Sequence, residues 1–123
     1  MNEFISLLMH SRTQTHSFHL GVNGSGSYAA HKALQKYYED IVDLIDTLSE
    51  SYQGKYGLLE LNPVSGLDTD NSIDNIISYF EKLVKYVNSK RKGDELKDSF
   101  IQNEIDNVEV LLYTTLYKLK NLQ

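Results

Sequence analysis

Four residues of metal-binding types lie in the first half of the chain: His19, His31, Asp46 and Glu50. Positions 31 and 46 are 15 residues apart, which on one helix is roughly 22 Å at a rise of 1.5 Å per residue. A single chain therefore cannot bring His31 and Asp46 to one ion. An antiparallel copy of the same helix from a second chain would set His31 beside Asp46 and Glu50. The spacing predicts a metal site shared across a symmetric dimer.

The two carboxylates of this set are spaced to act together. Asp46 and Glu50 are four positions apart, so on a helix they share one face with Cβ atoms about 6 Å apart. That separation suits one hard or borderline cation. A solvated acidic stripe that includes Asp43 would look the same, and surface carboxylates are more often of that kind. Asp46 follows Ile45 directly, at the margin of the apolar stripe, and this position favours a metal role.

The histidines allow more than one interpretation. His31 stands near Leu34 in the first turns of a helical segment, where a lone histidine is more often a hydrogen-bonded structural residue than a ligand. His16 and His19, three positions apart, could form a metal pair by themselves or could be exposed residues at a helix end. His10 has no partner in sequence, and we assign it no role.

The length and composition of the chain exclude several classes of site and enzyme. A length of 123 residues predicts one domain spanning 1–123. The absence of cysteine excludes disulfides, thiolate zinc sites and a cysteine nucleophile. No Gly-x-Ser-x-Gly motif is present and no histidine follows position 31, so a hydrolase triad has little support.

Charge and hydropathy bear on partners and location. The net charge is −5, from 12 basic and 17 acidic residues, so DNA binding through phosphate neutralisation is not expected. The basic cluster 90–92 follows a helical run and is interpreted as charges at a helix C-terminus. Met1 to Leu8 lack the basic start of a secretory signal, and no apolar run approaches the roughly 18 residues of a membrane span. We expect a soluble, cytoplasmic protein that does not enter membranes.

Glycine clusters divide the chain into four amphipathic segments with 3-4 apolar spacing. The first covers about 2–19, and the second follows Gly26 with Ser27 as N-cap and ends at the glycines 54 and 57. The third runs from about 70–72 to Gly93, and the fourth from Asp94 almost to the C-terminus. The sequence predicts an all-α four-helix bundle. Its long connection at 55–69, with Pro63 and room for one short helix, allows helices 2 and 3 to run parallel.

The glycine-rich stretch at 21–26 has one feature of a phosphate-binding loop, because glycine amides can hold anions at a helix N-terminus. It lacks the following lysine and does not follow a strand. A turn between two helices is the better interpretation.

The metal-ligand spacings resemble those of the Dps proteins, the mini-ferritins that protect DNA in starved bacteria. The family pattern has a histidine near the end of helix 1, a second one twelve residues later, and Asp-x-x-x-Glu fifteen residues after that. This chain has His19, His31, Asp46 and Glu50 at those spacings, with the expected aromatic residue at Tyr28. The similarity includes specific motif residues over about 18–54. Elsewhere it is limited to the helix lengths and the long middle connection.

The chain also departs from the family pattern. Leu20 stands where the family often has tryptophan, and Gln35 where an acidic ligand is common. A neutral amide oxygen is a weaker ligand for a second iron than a carboxylate. The chain is short for the family and lacks the lysine-rich arm that some members use on DNA. Its length, with Ser-Tyr-Gln-Gly-Lys-Tyr-Gly at 51–57, is similar to small ferritin-like proteins of phage origin.

The resemblance implies a ferritin-like bundle that binds iron and acts as a ferroxidase. Fe(II) would be oxidised by peroxide or dioxygen at the dimer interface and stored as ferric mineral, which protects against peroxide. His19 and His31 would come from one chain, and Asp46 and Glu50 from its partner, within a homo-oligomeric shell of twelve subunits built from antiparallel dimers. Two alternatives stay open: a ferritin-like structural or accessory protein of a phage particle that oxidises iron poorly, and a helical interaction domain without metal.

Overall fold

Four helices make up the fold. The computed structural model describes residues 1–62 and 64–122, so Pro63 of the long connection lies outside it. The helices are α1 (Asn2–Gly21), α2 (Ser27–Tyr56), α3 (Ile73–Lys90) and α4 (Ser99–Asn121), with a single 3₁₀ turn at Asp94–Leu96. Within the described ranges there is no strand. The predicted all-α four-helix bundle is confirmed.

The core consists of the apolar positions that recur every three or four residues along each helix. Helix α2 contributes Leu34, Tyr37, Ile41, Ile45 and Leu48, each less than a tenth exposed. The facing positions of the other helices complete one continuous core, including Phe4, Ile5, Leu8 and Phe18 of α1, Ile76 and Phe80 of α3, and Ile101, Ile105 and Leu112 of α4. Hydrophobic burial on these faces stabilises the helices beyond their intrinsic propensity.

The chain direction follows from contacts near the helix ends. Phe18, late in α1, lies against Tyr79, early in α3, with ring centroids 5.5 Å apart. Phe4, at the start of α1, lies 6.1 Å from Tyr86, late in α3. Helices α1 and α3 are therefore antiparallel, and since a short turn makes α1 and α2 antiparallel, α2 and α3 run parallel, as predicted. The long connection crosses back along the bundle between them.

Three polar side chains on α1, four positions apart, hold this α2–α3 connection against the bundle. The Ser6 hydroxyl accepts a hydrogen bond from the backbone N–H of Asn62 at 3.1 Å. The His10 Nε2 donates to the carbonyl of Gly66 at 2.7 Å. The buried Gln14 amide both donates to the carbonyl of Asp68 at 2.9 Å and accepts from its N–H at 2.7 Å. No short helix occurs in the described part of this connection.

Most helix termini lie within three residues of the predicted ones, but α4 begins at Ser99, five residues after the predicted start at Asp94, where the separate 3₁₀ turn forms instead. The N-cap of α2 is Gly26, so the prediction of Ser27 as N-cap is wrong by one position. The Ser27 hydroxyl instead donates to the carbonyl of Gly24 at 2.7 Å, because the left-handed conformation of Gly26 turns the chain before the helix begins. At α3 the Ser72 side chain caps the helix by accepting from the N–H of Asn75.

The basic cluster 90–92 lies at the C-terminal end of α3, as predicted. Arg91 reaches α4, where its guanidinium pairs with Asp106 at 2.6 Å and with Glu109. It also donates to the side chain of Gln102 at 2.9 Å. The cluster therefore joins α3 to α4. In the described part of the chain, no helix is long and apolar enough to cross a membrane.

Candidate metal centre

The turn between α1 and α2 places two of the predicted ligands side by side. Helix α1 ends at Gly21, and the chain reverses through Gly24 and Gly26, whose φ angles of 96° and 79° are in the left-handed region that glycine adopts without strain. This short reversal sets His19, two residues before the end of α1, against His31, in the second turn of α2. The stretch 21–26 is therefore a helix-to-helix turn, as the sequence indicated.

His19 and His31 hold one another through reciprocal hydrogen bonds. The Nδ1 of His19 lies 2.8 Å from the carbonyl oxygen of His31, and the Nδ1 of His31 lies 2.9 Å from that of His19. Their rings stack with centroids 3.6 Å apart and an interplanar angle of 21°. The His19 carbonyl is one of the last four of α1, which lack partners within the helix, so the bond from His31 also satisfies a helix end. His19 is buried and His31 half-buried.

These bonds determine which ring nitrogen is available to a metal. A carbonyl oxygen can only accept, so Nδ1 carries the hydrogen in both His19 and His31. In a neutral imidazole the other nitrogen, Nε2, then has a free lone pair. Metal-binding histidines commonly donate their second nitrogen to a backbone carbonyl in this way, which fixes the ring and its tautomer. In each of the two rings, Nε2 is therefore the nitrogen that could bind a cation.

Tyr38 forms a wall beside the histidine pair. Its ring meets that of His19 edge-on, with centroids 5.2 Å apart, and stacks on His16 at 4.5 Å. The rings of His16 and His19 are tilted and 6.2 Å apart, so His19 pairs with His31 and not with His16. Sequence reasoning missed Tyr38. The available signal was its position seven residues after His31, two helical turns along the same face.

Asp46 and Glu50 lie on the same helix as His31 but far along it. Helix α2 is continuous over Ser27–Tyr56, so the predicted separation of roughly 22 Å between His31 and Asp46 applies. Both carboxylates are exposed. Among the described residues of one chain, no three histidine or acidic side chains are grouped so that they could hold a metal ion. A site that combines all four ligands therefore needs a second chain.

Asp46 lines the rim of a groove of about 730 Å³ between α1, α2 and the α2–α3 connection. Its walls are mainly apolar and include Val42 and Ile45 of α2 and Met9 of α1. The connection adds further apolar side chains, of which Leu61 is 44% exposed. A surface of this kind next to an exposed carboxylate is typical of a place where another protein surface packs.

Gln35 lies one turn beyond His31 but is engaged elsewhere. Its amide Nε2 donates to the carboxylate of Glu39 at 2.9 Å. The amide oxygen stays available as a neutral ligand, whereas the carboxylate that the mini-ferritin pattern has at this position is absent.

The fold and site define a four-helix bundle that carries a stacked, tautomer-fixed histidine pair at its α1–α2 turn. The chain belongs to the family of unknown function DUF5856, whose profile matches residues 19–119. It is 31% identical over 121 residues to the uncharacterised 14.6 kDa protein in the mobD–ri intergenic region of Enterobacteria phage T4. That match covers 96% of this chain and 86% of the relative. No solved structure matches the chain.

Proposed function

We propose that the protein is a Dps-like, iron-binding ferroxidase whose site lies between two antiparallel subunits. The observation that carries the proposal is the reciprocal bonding of His19 and His31, which leaves Nε2 of each ring as the nitrogen available to a cation. Two imidazoles combined with carboxylates are the ligand chemistry of non-haem iron centres. Asp46 and Glu50 of the second chain would supply the carboxylates. The parallel arrangement of α2 and α3 across one long connection, a connectivity found in ferritin-like bundles, also supports it.

In this proposal iron is the substrate. Imidazole nitrogens bind Fe(II), and the harder carboxylate oxygens favour the Fe(III) product. Two Fe(II) ions each lose one electron, and the oxygen–oxygen bond of one hydrogen peroxide takes up both electrons and breaks. Two protons then complete two water molecules. Fe(III) is deposited as ferric mineral inside a shell, which we propose to be a dodecamer of antiparallel dimers.

The test is oxidation of Fe(II) loaded anaerobically and then exposed to hydrogen peroxide, followed by ferric absorbance, with dioxygen compared as oxidant in a parallel sample. We expect His19→Ala and Asp46→Asn to lose most of the rate enhancement. The matched controls are His16→Ala and Asp74→Asn, which remove an exposed histidine and an exposed carboxylate outside the proposed ligand set. A wild-type protein no faster than buffer, or ligand variants as fast as the controls, would contradict the proposal.

A second candidate is a helical structural or interaction protein that does not oxidise iron, such as an accessory protein of a phage particle. The engagement of Gln35 with Glu39, where mini-ferritins commonly have an acidic ligand, favours it. Similarity to a phage T4 protein is consistent with such a role. This candidate predicts a folded wild-type protein that leaves the oxidation rate of Fe(II) unchanged.

A further inference from the structure

The α1–α2 turn contains the one place in the sequence where glycine follows asparagine, at Asn23–Gly24. An asparagine can lose ammonia when the backbone nitrogen of the next residue attacks its side-chain carbon Cγ. A glycine at that next position leaves the nitrogen unhindered, because glycine has no Cβ and its backbone turns freely. Whether this reactivity survives folding depends on the exposure, the space and the hydrogen bonds of the turn.

The structure leaves the attacking nitrogen of Gly24 free and accessible. Asn23 and Gly24 are both exposed. Within residues 1–62 and 64–122, the N–H of Gly24 has no hydrogen-bond acceptor, whereas its carbonyl accepts from the N–H and the hydroxyl of Ser27 at 3.2 and 2.7 Å. Gly24 has a φ of 96°, and no other segment comes within 4 Å of the position that a Cβ would take. The turn therefore has room to move while a ring forms at Asn23.

Two other asparagines, Asn71 and Asn88, precede the small residue serine, and in both cases the structure engages the attacking nitrogen. The N–H that follows Asn71 donates to the carboxylate of Asp70 at 3.0 Å. The N–H that follows Asn88 lies inside α3, where it belongs to the hydrogen bonding of the helix. Folding therefore protects these two sites and leaves Asn23 reactive.

We propose that Asn23 deamidates spontaneously in the folded protein, and that the product weakens the end of α1 that carries His19. Hydroxide takes the proton from the backbone nitrogen of Gly24, and this nitrogen forms a bond to Cγ of Asn23. The bond from Cγ to Nδ2 breaks, and Nδ2 takes a proton from water and leaves as ammonia. One water molecule then opens the five-membered imide. Attack at Cγ gives aspartate, and attack at the backbone carbonyl carbon gives isoaspartate.

The side chain of Asn23 acts at the C-terminal end of α1. Its Nδ2 donates to the carbonyl of Gly21 at 3.0 Å, one of the last carbonyls of the helix, which have no partner inside it. The carboxylate of either product can only accept a hydrogen bond. It therefore removes this bond and adds negative charge at the negative end of the helix dipole. Isoaspartate also lengthens the backbone between α1 and α2 by one carbon, close to the last turn of α1, where His19 lies.

The test is incubation of the wild-type protein with chelator at pH 8.5 and pH 6, followed by peptide mapping with mass spectrometry. Trypsin isolates the segment 13–32, in which Asn23 is the only asparagine. Deamidation raises the mass of this segment, and chromatography separates isoaspartate from aspartate. At pH 8.5 we expect Asn23 to react at least about tenfold faster than Asn71 and Asn88, whose engaged N–H groups require local opening first. The reaction should be slower at pH 6, because the attacking nitrogen must lose its proton.

The same incubation in urea separates the effect of the fold from that of the local sequence. Unfolding frees the two serine N–H groups, so deamidation at Asn71 and Asn88 should accelerate, while the rate at Asn23 should change by less than about fivefold. Asn23→Gln should abolish the mass increase in segment 13–32, because glutamine would have to close a larger ring. A folded protein in which Asn23 stays intact, or reacts more than about fivefold slower than in urea, would overturn the inference.

The effect on α1 is tested with Asn23→Asp, which copies the charge of the product without lengthening the backbone. We expect this variant to lower the melting temperature by about 2–5 °C. Asn103→Asp, the matched control at an exposed position of α4, should leave it within about 1 °C of wild type. Equal melting temperatures for the two variants would contradict the proposed weakening of α1. No metal is present in these experiments, so their outcomes are separate from success or failure of iron oxidation.

Discussion

Replacement of Gln14 by glutamate tests how the α2–α3 connection is held. Gln14 is 1% exposed, and its amide bonds both the N–H and the carbonyl of Asp68. Glutamate has the same shape, but as a carboxylate it can only accept. The glutamate still accepts the hydrogen bond from the N–H of Asp68, but it places a negative charge beside the carbonyl oxygen of Asp68. We expect Gln14→Glu to lower the free energy of unfolding by about 2–3 kcal/mol at pH 7, the range for a lost hydrogen bond at a buried polar group with added charge burial.

The loss should depend on pH with a definite sign. Burial beside a carbonyl raises the pKa of the new carboxyl group above its unfolded value of about 4.3. The protonated group can donate to Asp68, so the stability of the variant is fully present below about pH 4 and declines as pH rises. A loss of 2–3 kcal/mol in the free energy of unfolding corresponds to a pKa near 6 for the new carboxyl group in the folded protein, since a pKa shift of one unit corresponds to about 1.4 kcal/mol.

The assay is urea unfolding followed by helical circular dichroism at pH 4.5 and pH 7. The difference between wild type and Gln14→Glu should be small at the lower pH and full at the higher one. Asn103→Asp, which adds the same charge at an exposed position of α4, should match wild type at both. A Gln14→Glu protein as stable as wild type at pH 7, or equally weakened at both pH values, would refute this account of the connection.

Three further predictions follow from other polar groups. The Ser11 hydroxyl donates to the carbonyl of Leu8 and accepts from the buried hydroxyl of Tyr37 at 2.8 Å. Ser11→Ala leaves that hydroxyl without a partner and should lower the free energy of unfolding in urea by about 2 kcal/mol, whereas Tyr37→Phe should lower it by about 1 kcal/mol. Equal losses in the two variants would contradict this. Burial raises the pKa of Tyr37, and it raises that of Tyr86 to about 12. The free energy of unfolding should therefore be constant up to about pH 10 and fall above it, and the fall should be smaller in Tyr37→Phe. A fall as large in that variant as in wild type would contradict this. Gln35→Glu should strengthen the binding of a second Fe(II), measured by calorimetric titration under argon. Unchanged stoichiometry and affinity would place residue 35 away from the metal.

The sequence predicted the helices because their apolar spacing is a local property. The four elements, the long connection and the parallel course of α2 and α3 all followed from that spacing and from the glycine clusters. The distance between His31 and Asp46 was also predictable, since it depends only on the rise of a continuous helix.

The features that the sequence did not predict depend on tertiary contact. The stacking of His19 on His31 follows from the left-handed turn at Gly24 and Gly26, whose course spacing does not specify. His10, which had no assigned role, bonds a residue 56 positions away. Gln14 belongs to a type that is mostly exposed, yet it is buried because the connection lies over it. Long-range partners of this kind leave no periodic signal in the chain.

The central claim, a metal site shared between two chains, is tested most directly by mixing two inactive variants. His31→Ala and Asp46→Ala should each be defective in iron oxidation. A mixed dimer of the two has one site with all its ligands intact and one that is doubly damaged. Random pairing makes about half of the dimers mixed, so about a quarter of the wild-type sites should be restored. We expect about a quarter of the wild-type rate of ferric absorbance increase after the variants are unfolded and refolded together. Confirmed mixed assemblies with no activity above either parent would contradict the shared site.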